Sequence, residues 1–365
     1  MVMKGSHGVK ICIDIQSVIS HQTGVARYTF ELVKALSEIT EKTDIVLSYF
    51  DFLNRFNGLE YFINKPIKIM PGRLYNQLWK KFHFPPYNWL SGNYDIYHFP
   101  NFCLPPMSKG KFIITIHDTA FMRYPEYIEP KNLAFLKQEL EGSIGKASKI
   151  ITVSDFTKSE IINYFGTNSE KIKVIYEGID KDFKKVETKK LDLPELYILF
   201  VGTLEPRKNI EGLIRSFSIQ RQKGYKLVVA GEKGWFYEGI FKLVKEQGLD
   251  EEVIFLGYVP QEDLPEVYSR AKAFVFPSFY EGFGFPPLEA MACGVPVVST
   301  KFETLGDAAR FIDPKSPEDM ANGIKDVLAN PGTWIEKGKE HVKRFTWERT
   351  AGETLELYKA VANDK

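Results

Sequence analysis

The stretch FPSFYEGFGFPPLEAMACGVPVVST, residues 276–300, decides the fold of this chain. An apolar strand over residues 273–276 is expected to end at a proline, where a glycine-containing loop begins. Two adjacent prolines and Gly294 then predict a helix over residues 288–293, because proline favours the start of a helix and glycine follows its end. A second apolar strand follows over residues 295–299. This strand, loop, helix and strand are typical of a parallel sheet covered by helices.

Two carboxylates flank the start of the predicted helix, Glu281 in the loop and Glu289 within the helix. The bare N–H groups and the positive dipole end of a helix start favour an anion such as phosphate. Acidic side chains would repel a phosphate there unless they face hydroxyl groups instead. A ligand that joins phosphates to sugar rings satisfies both requirements, so the pattern indicates a nucleotide diphosphate sugar.

The composition of the chain limits its possible domain number, partners and cellular compartment. A chain of 365 residues with 44% hydrophobic side chains can bury a large core and is expected to form two domains. The net charge of +1 gives no reason to expect nucleic acid as a partner. Cys12, Cys103 and Cys293 are widely spaced and form no metal-ligand pattern, which favours a reducing, cytoplasmic compartment. We find no apolar run long enough for a membrane span and no signal peptide.

Short apolar runs alternate with helical patterns along most of the chain, which predicts an α/β fold with parallel sheets. The strands predicted before the polar segment 187–194 cover residues 10–15, 43–49, 95–98, 112–116, 149–153 and 171–175. Those predicted after it cover residues 197–202, 226–230, 253–257, 273–276 and 295–299. Helices are expected at 130–146, at 156–165 with Ser154 or Asp155 as cap, and at 347–361. The polar segment is interpreted as a linker.

Glu281 and Glu289, set in SFYEGFGFPPLEAMACGVPVVS, resemble the signature of the family 4 retaining glycosyltransferases, which have the GT-B fold. Within this family, the chain most resembles the mannosyltransferases of bacterial surface-polysaccharide synthesis. The resemblance implies two doubly wound Rossmann-like domains that face each other across a cleft. Residues 1–187 would form the acceptor-side domain and residues 188–345 the nucleotide-sugar-binding domain. Residues 346–365 would cross back onto the first domain as a helix.

The resemblance also implies roles for single residues. Glu281 would hold hydroxyls of the donor sugar, Glu289 the ribose hydroxyls, and His117 the sugar from the opposite domain. Lys208 matches the lysine that holds the donor diphosphate. Many members carry an arginine where this chain has Thr203, so Arg207 is assigned as the second cation. The predicted donor site is completed by Gly24, Gly202, Thr203, Tyr258, Val259, Gly282, Phe283 and Gly284.

No metal ion and no other cofactor are expected. The single Asp-x-Asp motif is Asp180-Lys181-Asp182, interpreted as a turn at the rear of the first domain. Lys208, Arg207 and the helix start would instead stabilise the leaving diphosphate, because each nearby cation contributes several kcal/mol at a moderate dielectric constant.

Donor and acceptor stay open at this point. GDP-mannose is favoured, with a UDP-sugar as the alternative, and the acceptor is expected to be a saccharide or a lipid-linked saccharide. An epimerase of nucleotide sugars and an inactive sugar-nucleotide binder are the other classes. Residues 73–90 mix cations with aromatic residues, which fits either a segment on the cytoplasmic membrane surface or a packed helix and loop.

Overall fold

The structure is a computed structural model that describes residues 9–20, 24–127, 130–221 and 224–364. The chain divides into two compact units. The first contains the chain up to Gly178 together with the segment from Thr346 onward, and the second runs from Ile179 to Phe345. Each unit is an α/β domain built on one parallel sheet, so the predicted fold class is confirmed.

The first unit holds a seven-stranded sheet in the order β3-β2-β1-β4-β5-β6-β7. Its strands are β1 (Ile11–Asp14), β2 (Ile45–Phe50), β3 (Ile63–Ile67), β4 (Ile96–Phe99), β5 (Lys111–Ile116), β6 (Lys149–Thr152) and β7 (Ile172–Val174). Its helices are α1 (Gln16–Ser20), α2 (Gly24–Ser37), α3 (Gly72–Phe82), α4 (Tyr87–Ser91), α5 (Ala120–Arg123), α6 (Pro130–Lys146) and α7 (Asp155–Phe165). The inner strands are almost continuously apolar because helices cover both faces of a parallel sheet.

The second unit holds a six-stranded sheet in the order β10-β9-β8-β11-β12-β13. Its strands are β8 (Tyr197–Val201), β9 (Lys226–Ala230), β10 (Val253–Gly257), β11 (Ala273–Phe276), β12 (Val297–Ser299) and β13 (Arg310–Phe311). Its helices are α8 (Ile210–Gln220), α9 (Glu238–Glu246), α10 (Leu264–Arg270), α11 (Phe285–Ala292), α12 (Pro317–Ala329) and α13 (Pro331–Val342). The helix α14 (Trp347–Asn363) follows and belongs to the first unit.

Two strands were not predicted from the sequence. β3 is an edge strand that contains Pro66 and is largely exposed, so it lacks the apolar alternation of a half-buried strand. β13 comprises only two residues and is too short to give a pattern. The N-terminal cap of α7 is Ser154, whose hydroxyl accepts the Thr157 N–H at 3.1 Å.

The segment that we interpreted as a linker packs on the second unit. The Lys190 and Leu191 N–H groups donate to the carboxylate of Glu266, and the Val186 N–H donates to the Ser269 hydroxyl. The division therefore falls after Gly178 and not after residue 187, because these hydrogen bonds attach the polar segment to α10.

The helix α14 is part of the core of the first unit. Ala351, Tyr358 and Val361 are fully or almost fully buried. The Tyr358 hydroxyl lies 2.6 Å from Nδ1 of His98, whose Nε2 lies 2.9 Å from the Thr115 hydroxyl. Burial lowers the pKa of His98 to about 3, so the ring is neutral. His98 is thus a structural residue, as its position within a strand suggests.

Candidate active site

The candidate site of the second unit lies where its sheet reverses strand order, between β8 and β11. Ligands of doubly wound sheets bind outside the carboxyl ends of the strands at such a position. The loop after β8 carries Arg207 and Lys208, and the loop after β11 carries Glu281. Lys208 Nζ lies 2.6 Å from Oε1 of Glu281, and Arg207 Nη1 lies 3.1 Å from Oε2. One carboxylate therefore binds both predicted phosphate-binding cations.

The electrostatics of this cluster follow from burial and charge. Burial disfavours the ionised form of Glu281, but the positive charges of Lys208 and Arg207 outweigh it, so the pKa of Glu281 lies below its ordinary value. Arg207 also pairs with the buried Glu205 at 2.6 Å. Lys208 is itself buried and lies 5.2 Å from the centre of the Phe276 ring. The cluster is a preformed, charged site rather than a solvated surface pair.

Backbone contacts hold the two loops together. Residues Pro206–Lys208 form a single 3-10 turn, and the Phe279 N–H donates to the Arg207 carbonyl at 2.9 Å. Asn209 adopts a left-handed conformation with φ of 55°. Its side chain makes no capping hydrogen bond to α8 and donates to the carbonyls of Pro277 and Pro314. The Asn209 side chain therefore connects neighbouring loops at the carboxyl edge of the sheet.

Glycines let the ends of β8 and β9 approach closely. Gly202, which we predicted as the last residue of this strand, directly follows β8, and Gly231 follows β9. A Cβ at Gly231 would lie 2.0 Å from the Gly202 carbonyl oxygen, so only glycine fits. The sequence analysis missed Gly231, although its place directly after a predicted strand was a usable signal. Thr203, at the position where many family members have arginine, is exposed beside these turns.

The helix of the signature begins earlier than predicted. We expected residues 288–293, whereas α11 spans Phe285–Ala292. Pro286 and Pro287 lie in its first turn, where missing N–H groups cost no intrahelical hydrogen bond. The same prolines remove two of the N–H groups that we expected to bind an anion. The start of α11 therefore offers fewer N–H groups to an anion than we expected.

The loop before α11 and the acid inside the helix are both tightly packed. Gly282, Phe283 and Gly284 are buried, and Gly284 has φ of +88°, a conformation that favours glycine. The Phe283 carbonyl accepts the Thr304 hydroxyl at 2.6 Å, which ties the loop to the short segment after β12. Glu289 is buried, and its Oε2 accepts the Tyr268 hydroxyl at 2.7 Å.

Two further predicted residues follow the edge strand β10. Tyr258 is 52% exposed, and Val259 is half-buried. Since β9 separates β10 from β8, these residues lie at the same carboxyl edge as the Lys208 loop but two strands away. The position suits a planar group at one end of an extended ligand.

His117 follows β5 in the first unit and is hydrogen bonded at both ring nitrogens. Nδ1 lies 3.0 Å from Oε1 of the buried Glu177, and Nε2 lies 3.1 Å from the Pro100 carbonyl oxygen. Burial lowers the pKa of His117, but the hydrogen bond and charge of Glu177 outweigh it, so the net shift is upward. Both partners only accept hydrogen bonds, so making both bonds requires the doubly protonated, cationic ring. Sequence reasoning missed Glu177 as its partner.

Gly24 was predicted to lie in the donor site, in the turn before the first helix. Gly24 begins α2, and a Cβ there would meet no atom of the described residues within 4 Å. Residues 21–23, which precede it, lie outside the described residues.

Asp180-Lys181-Asp182 forms a turn, with the Phe183 N–H donating to the Asp180 carbonyl. The turn belongs to the second unit and not to the first as predicted, because the division falls before it. The described residues contain no cluster of three or more metal-binding side chains.

Two family models together match most of the chain. Residues 22–183 match Glycosyltransferase Family 4, and residues 181–345 match Glycosyl transferases group 1. O-antigen chain mannosyltransferase B of Escherichia coli is 32% identical over 96% of this chain and 100% of that protein. O-antigen chain mannosyltransferase RfbU of Salmonella typhimurium is 28% identical over 89% of this chain and 93% of that protein.

Solved structures share the fold. Sucrose-phosphate synthase from Thermosynechococcus elongatus matches with a TM-score of 0.80 at 22% identity, covering 97% of this chain and 99% of that chain. HepE from Anabaena, solved with UDP and glucose, matches with a TM-score of 0.71 at 18% identity, covering 96% of this chain and 100% of that chain. No helix in the described part of the chain combines the length and apolar character that crossing a bilayer requires.

Proposed function

Since this chain belongs to the family 4 and group 1 glycosyltransferases and is a GT-B enzyme, we propose that it transfers mannose from GDP-mannose to a saccharide hydroxyl with retention of anomeric configuration. The O-antigen mannosyltransferases among its relatives support mannose as the transferred sugar. The acceptor is a saccharide or a lipid-linked saccharide. The observation that carries the proposal is the double ion pair of Glu281 with Lys208 and Arg207.

The chemistry follows from that ion pair. Breaking the bond between the sugar and the diphosphate places negative charge on the leaving phosphate and positive charge on the sugar ring. Lys208 and Arg207 stabilise the phosphate, and Glu281 accepts hydrogen bonds from sugar hydroxyls beside the reacting carbon. The acceptor attacks on the face that the diphosphate leaves, and a phosphate oxygen takes its proton. The enzyme needs neither a covalent nucleophile nor a metal ion.

The remaining residues bind the unreactive parts of the donor. Glu289 is assigned to the ribose hydroxyls, Tyr258 and Val259 to the base, and the glycines after β8 to the phosphates. Gly24 is assigned to the donor phosphates. His117 is assigned to the donor sugar. Because both of its ring nitrogens already have hydrogen-bond partners in the protein, His117 does not act there as a base.

We also place the first unit on the membrane surface through α3 and the segment after it. Four apolar side chains on these elements are exposed, each by 44% or more: Leu74, Phe82, Phe84 and Trp89. Lys80 and Lys81 lie in the last turn of α3, where they suit anionic lipid head groups. Tyr75 and Trp79 are buried, so α3 also packs on its own unit. Co-sedimentation with vesicles that contain anionic lipid, lost at high salt, is the expected result. Equal pelleting with purely neutral vesicles would contradict this assignment.

The donor is tested by thermal unfolding with GDP, UDP, GDP-mannose and UDP-glucose. A ligand at 100 times its dissociation constant adds about 2.7 kcal/mol to stability. We expect that gain from GDP and GDP-mannose and a smaller one from the uridine compounds. NMR of GDP-mannose with octyl α-mannoside should then show an α-linked product, whereas a product with inverted configuration would disprove retention. Conversion of GDP-mannose alone into an isomer would identify an epimerase instead.

A further inference from the structure

The first sheet has its own reversal of strand order, between β1 and β4. In the second sheet the equivalent position carries the predicted diphosphate site. The carboxyl end of β1 carries Asp14, and none of the donor assignments uses this residue. The Asp14 residue is half-buried, and burial of its carboxyl group raises the pKa of that group to about 6.

Neutral donors hold the Asp14 carboxylate. The Tyr87 hydroxyl donates to Oδ2 at 2.9 Å, and the Gln16 N–H donates to Oδ1 at 3.2 Å. Each carboxylate oxygen has two lone pairs, so both oxygens can accept another hydrogen bond. A second anion such as a phosphate would be repelled here, whereas a hydroxyl group would not. The geometry of Asp14 therefore favours a neutral, hydroxyl-bearing ligand.

A buried hydroxyl beside Asp14 is an independent observation. The Tyr75 side chain is 1% exposed, and its hydroxyl has no hydrogen-bond partner among the described residues. The Tyr75 ring packs against the ring of Tyr87 with centroids 6.3 Å apart, and the Tyr87 hydroxyl donates to Asp14. Buried hydroxyls nearly always have a partner, so this one indicates a missing ligand or water.

Aromatic rings surround the same position. The Phe50 ring stacks on Tyr75 with centroids 4.7 Å apart, and Tyr87 lies edge-on to Phe50 at 6.1 Å. A pyranose ring presents hydroxyls at its rim and apolar C–H groups on its faces. A carboxylate, a free phenol hydroxyl and aromatic rings together match that chemistry.

We propose that Asp14 and Tyr75 bind a hydroxyl of the saccharide acceptor and so determine where the acceptor lies. This inference rests on the proposed function, which places the donor sugar at His117. Asp14 and His117 lie at the same edge of the sheet with β4 between β1 and β5. At about 4.8 Å between strands, their strands are roughly 10 Å apart, about the span of two sugar rings.

The variants Asp14→Asn and Tyr75→Phe test the proposal. Asparagine can keep both contacts of Asp14, because its Oδ1 accepts the Gln16 N–H and the Tyr87 hydroxyl can accept from its Nδ2. Asp44→Asn, at the amino end of the same sheet, and Tyr164→Phe, with a 40% exposed side chain, are the matched controls.

Initial rates are measured at saturating GDP-mannose with octyl α-mannoside as the acceptor. We expect KM for the octyl mannoside to rise roughly 10- to 100-fold in Asp14→Asn, the effect of losing a hydrogen bond to a charged group, and about 3- to 10-fold in Tyr75→Phe. Hydrolysis of GDP-mannose without octyl mannoside, and GDP affinity by calorimetry, should match those of the controls.

Unchanged KM in both variants would overturn the proposal. Loss of GDP affinity and hydrolysis in parallel with the rise in KM would also overturn it, because it would mean that Asp14 only maintains the fold. A failure of the proposed function would give a different result from a failure of the acceptor assignment. The unaltered protein would then neither bind GDP nor hydrolyse GDP-mannose, and the acceptor assignment would fail with it.

Discussion

Replacing Glu281 by glutamine should destabilise the free enzyme and make it more responsive to nucleotide. The carboxylate lies 2.6 Å from Lys208 and 3.1 Å from Arg207. Removing one partner of a buried ion pair costs about 3–5 kcal/mol. Both cations lose Glu281, but Arg207 still pairs with Glu205 at 2.6 Å, so the lower end of this range applies. At about 2–4 °C per kcal/mol for a unit of this size, Tm should fall by roughly 6–12 °C.

Nucleoside diphosphate should then replace the missing charge. In the unaltered enzyme a phosphate must compete with Glu281 for Lys208 and Arg207, whereas in Glu281→Gln it need not. GDP affinity should therefore be maintained or increased in the variant, and the Tm gain on adding GDP should be larger. Turnover should nevertheless fall by about 10²–10³, because the sugar hydroxyls lose a charged partner in the transition state.

Glu266→Gln is the matched control, since Glu266 pairs with Arg270 at 2.8 Å in the same unit. It should lower Tm without any larger response to GDP. Calorimetry and thermal unfolding of both variants decide the matter. If GDP raised the Tm of Glu281→Gln and Glu266→Gln by the same amount, the idea of competition for the cations would be refuted.

Protonation of Glu281 removes the same negative charge as its replacement by glutamine, so the effect of the variant on Tm should depend on pH. The pKa of Glu281 lies below its ordinary value, so its stabilising effect is present above about pH 4.3 and is lost as pH falls through the lowered pKa. The Tm difference between the unaltered enzyme and Glu281→Gln should therefore be constant near neutral pH and shrink in acid. A difference that grows in acid would contradict the ion-pair assignment.

Four shorter predictions concern the rest of the site. Lys208→Ala should lower kcat by about 10²–10³, measured as product formed from GDP-mannose, and a near-normal rate would remove its phosphate role. EDTA should leave activity almost unchanged, and loss restored by magnesium would refute the metal-free site. Glu289→Ala should mainly raise KM for the donor and weaken GDP binding in calorimetry; an effect on kcat alone would argue against a ribose contact. The raised pKa of His117 adds stability that is present below about pH 6.5 and lost as pH rises through the raised value, so Glu177→Gln should lower Tm more at pH 6 than at pH 9.

The sequence predicted positions along the chain better than contacts between distant segments. Lys208 and Glu281 were each placed at a strand end, but 73 residues separate them, and only the pairing of β8 with β11 brings them together. Likewise His117 was identified while Glu177, 60 residues further on, was not. Edge strand β3 was missed because Pro66 and exposed side chains hide its periodicity. Asp14 could not be identified from the sequence, because a single acid at the end of a strand is informative only once its contact with Tyr87 is known.

The return of α14 to the first unit has a consequence for synthesis on the ribosome. The second unit is one continuous stretch, so it can fold as soon as it emerges. The first unit, although translated earlier, lacks the buried side chains of Ala351, Tyr358 and Val361 until α14 is released. During synthesis, part of the core of the first unit therefore stays exposed to solvent while the second unit folds. Removal of α14 should accordingly destabilise the first unit, although that unit is translated before the second.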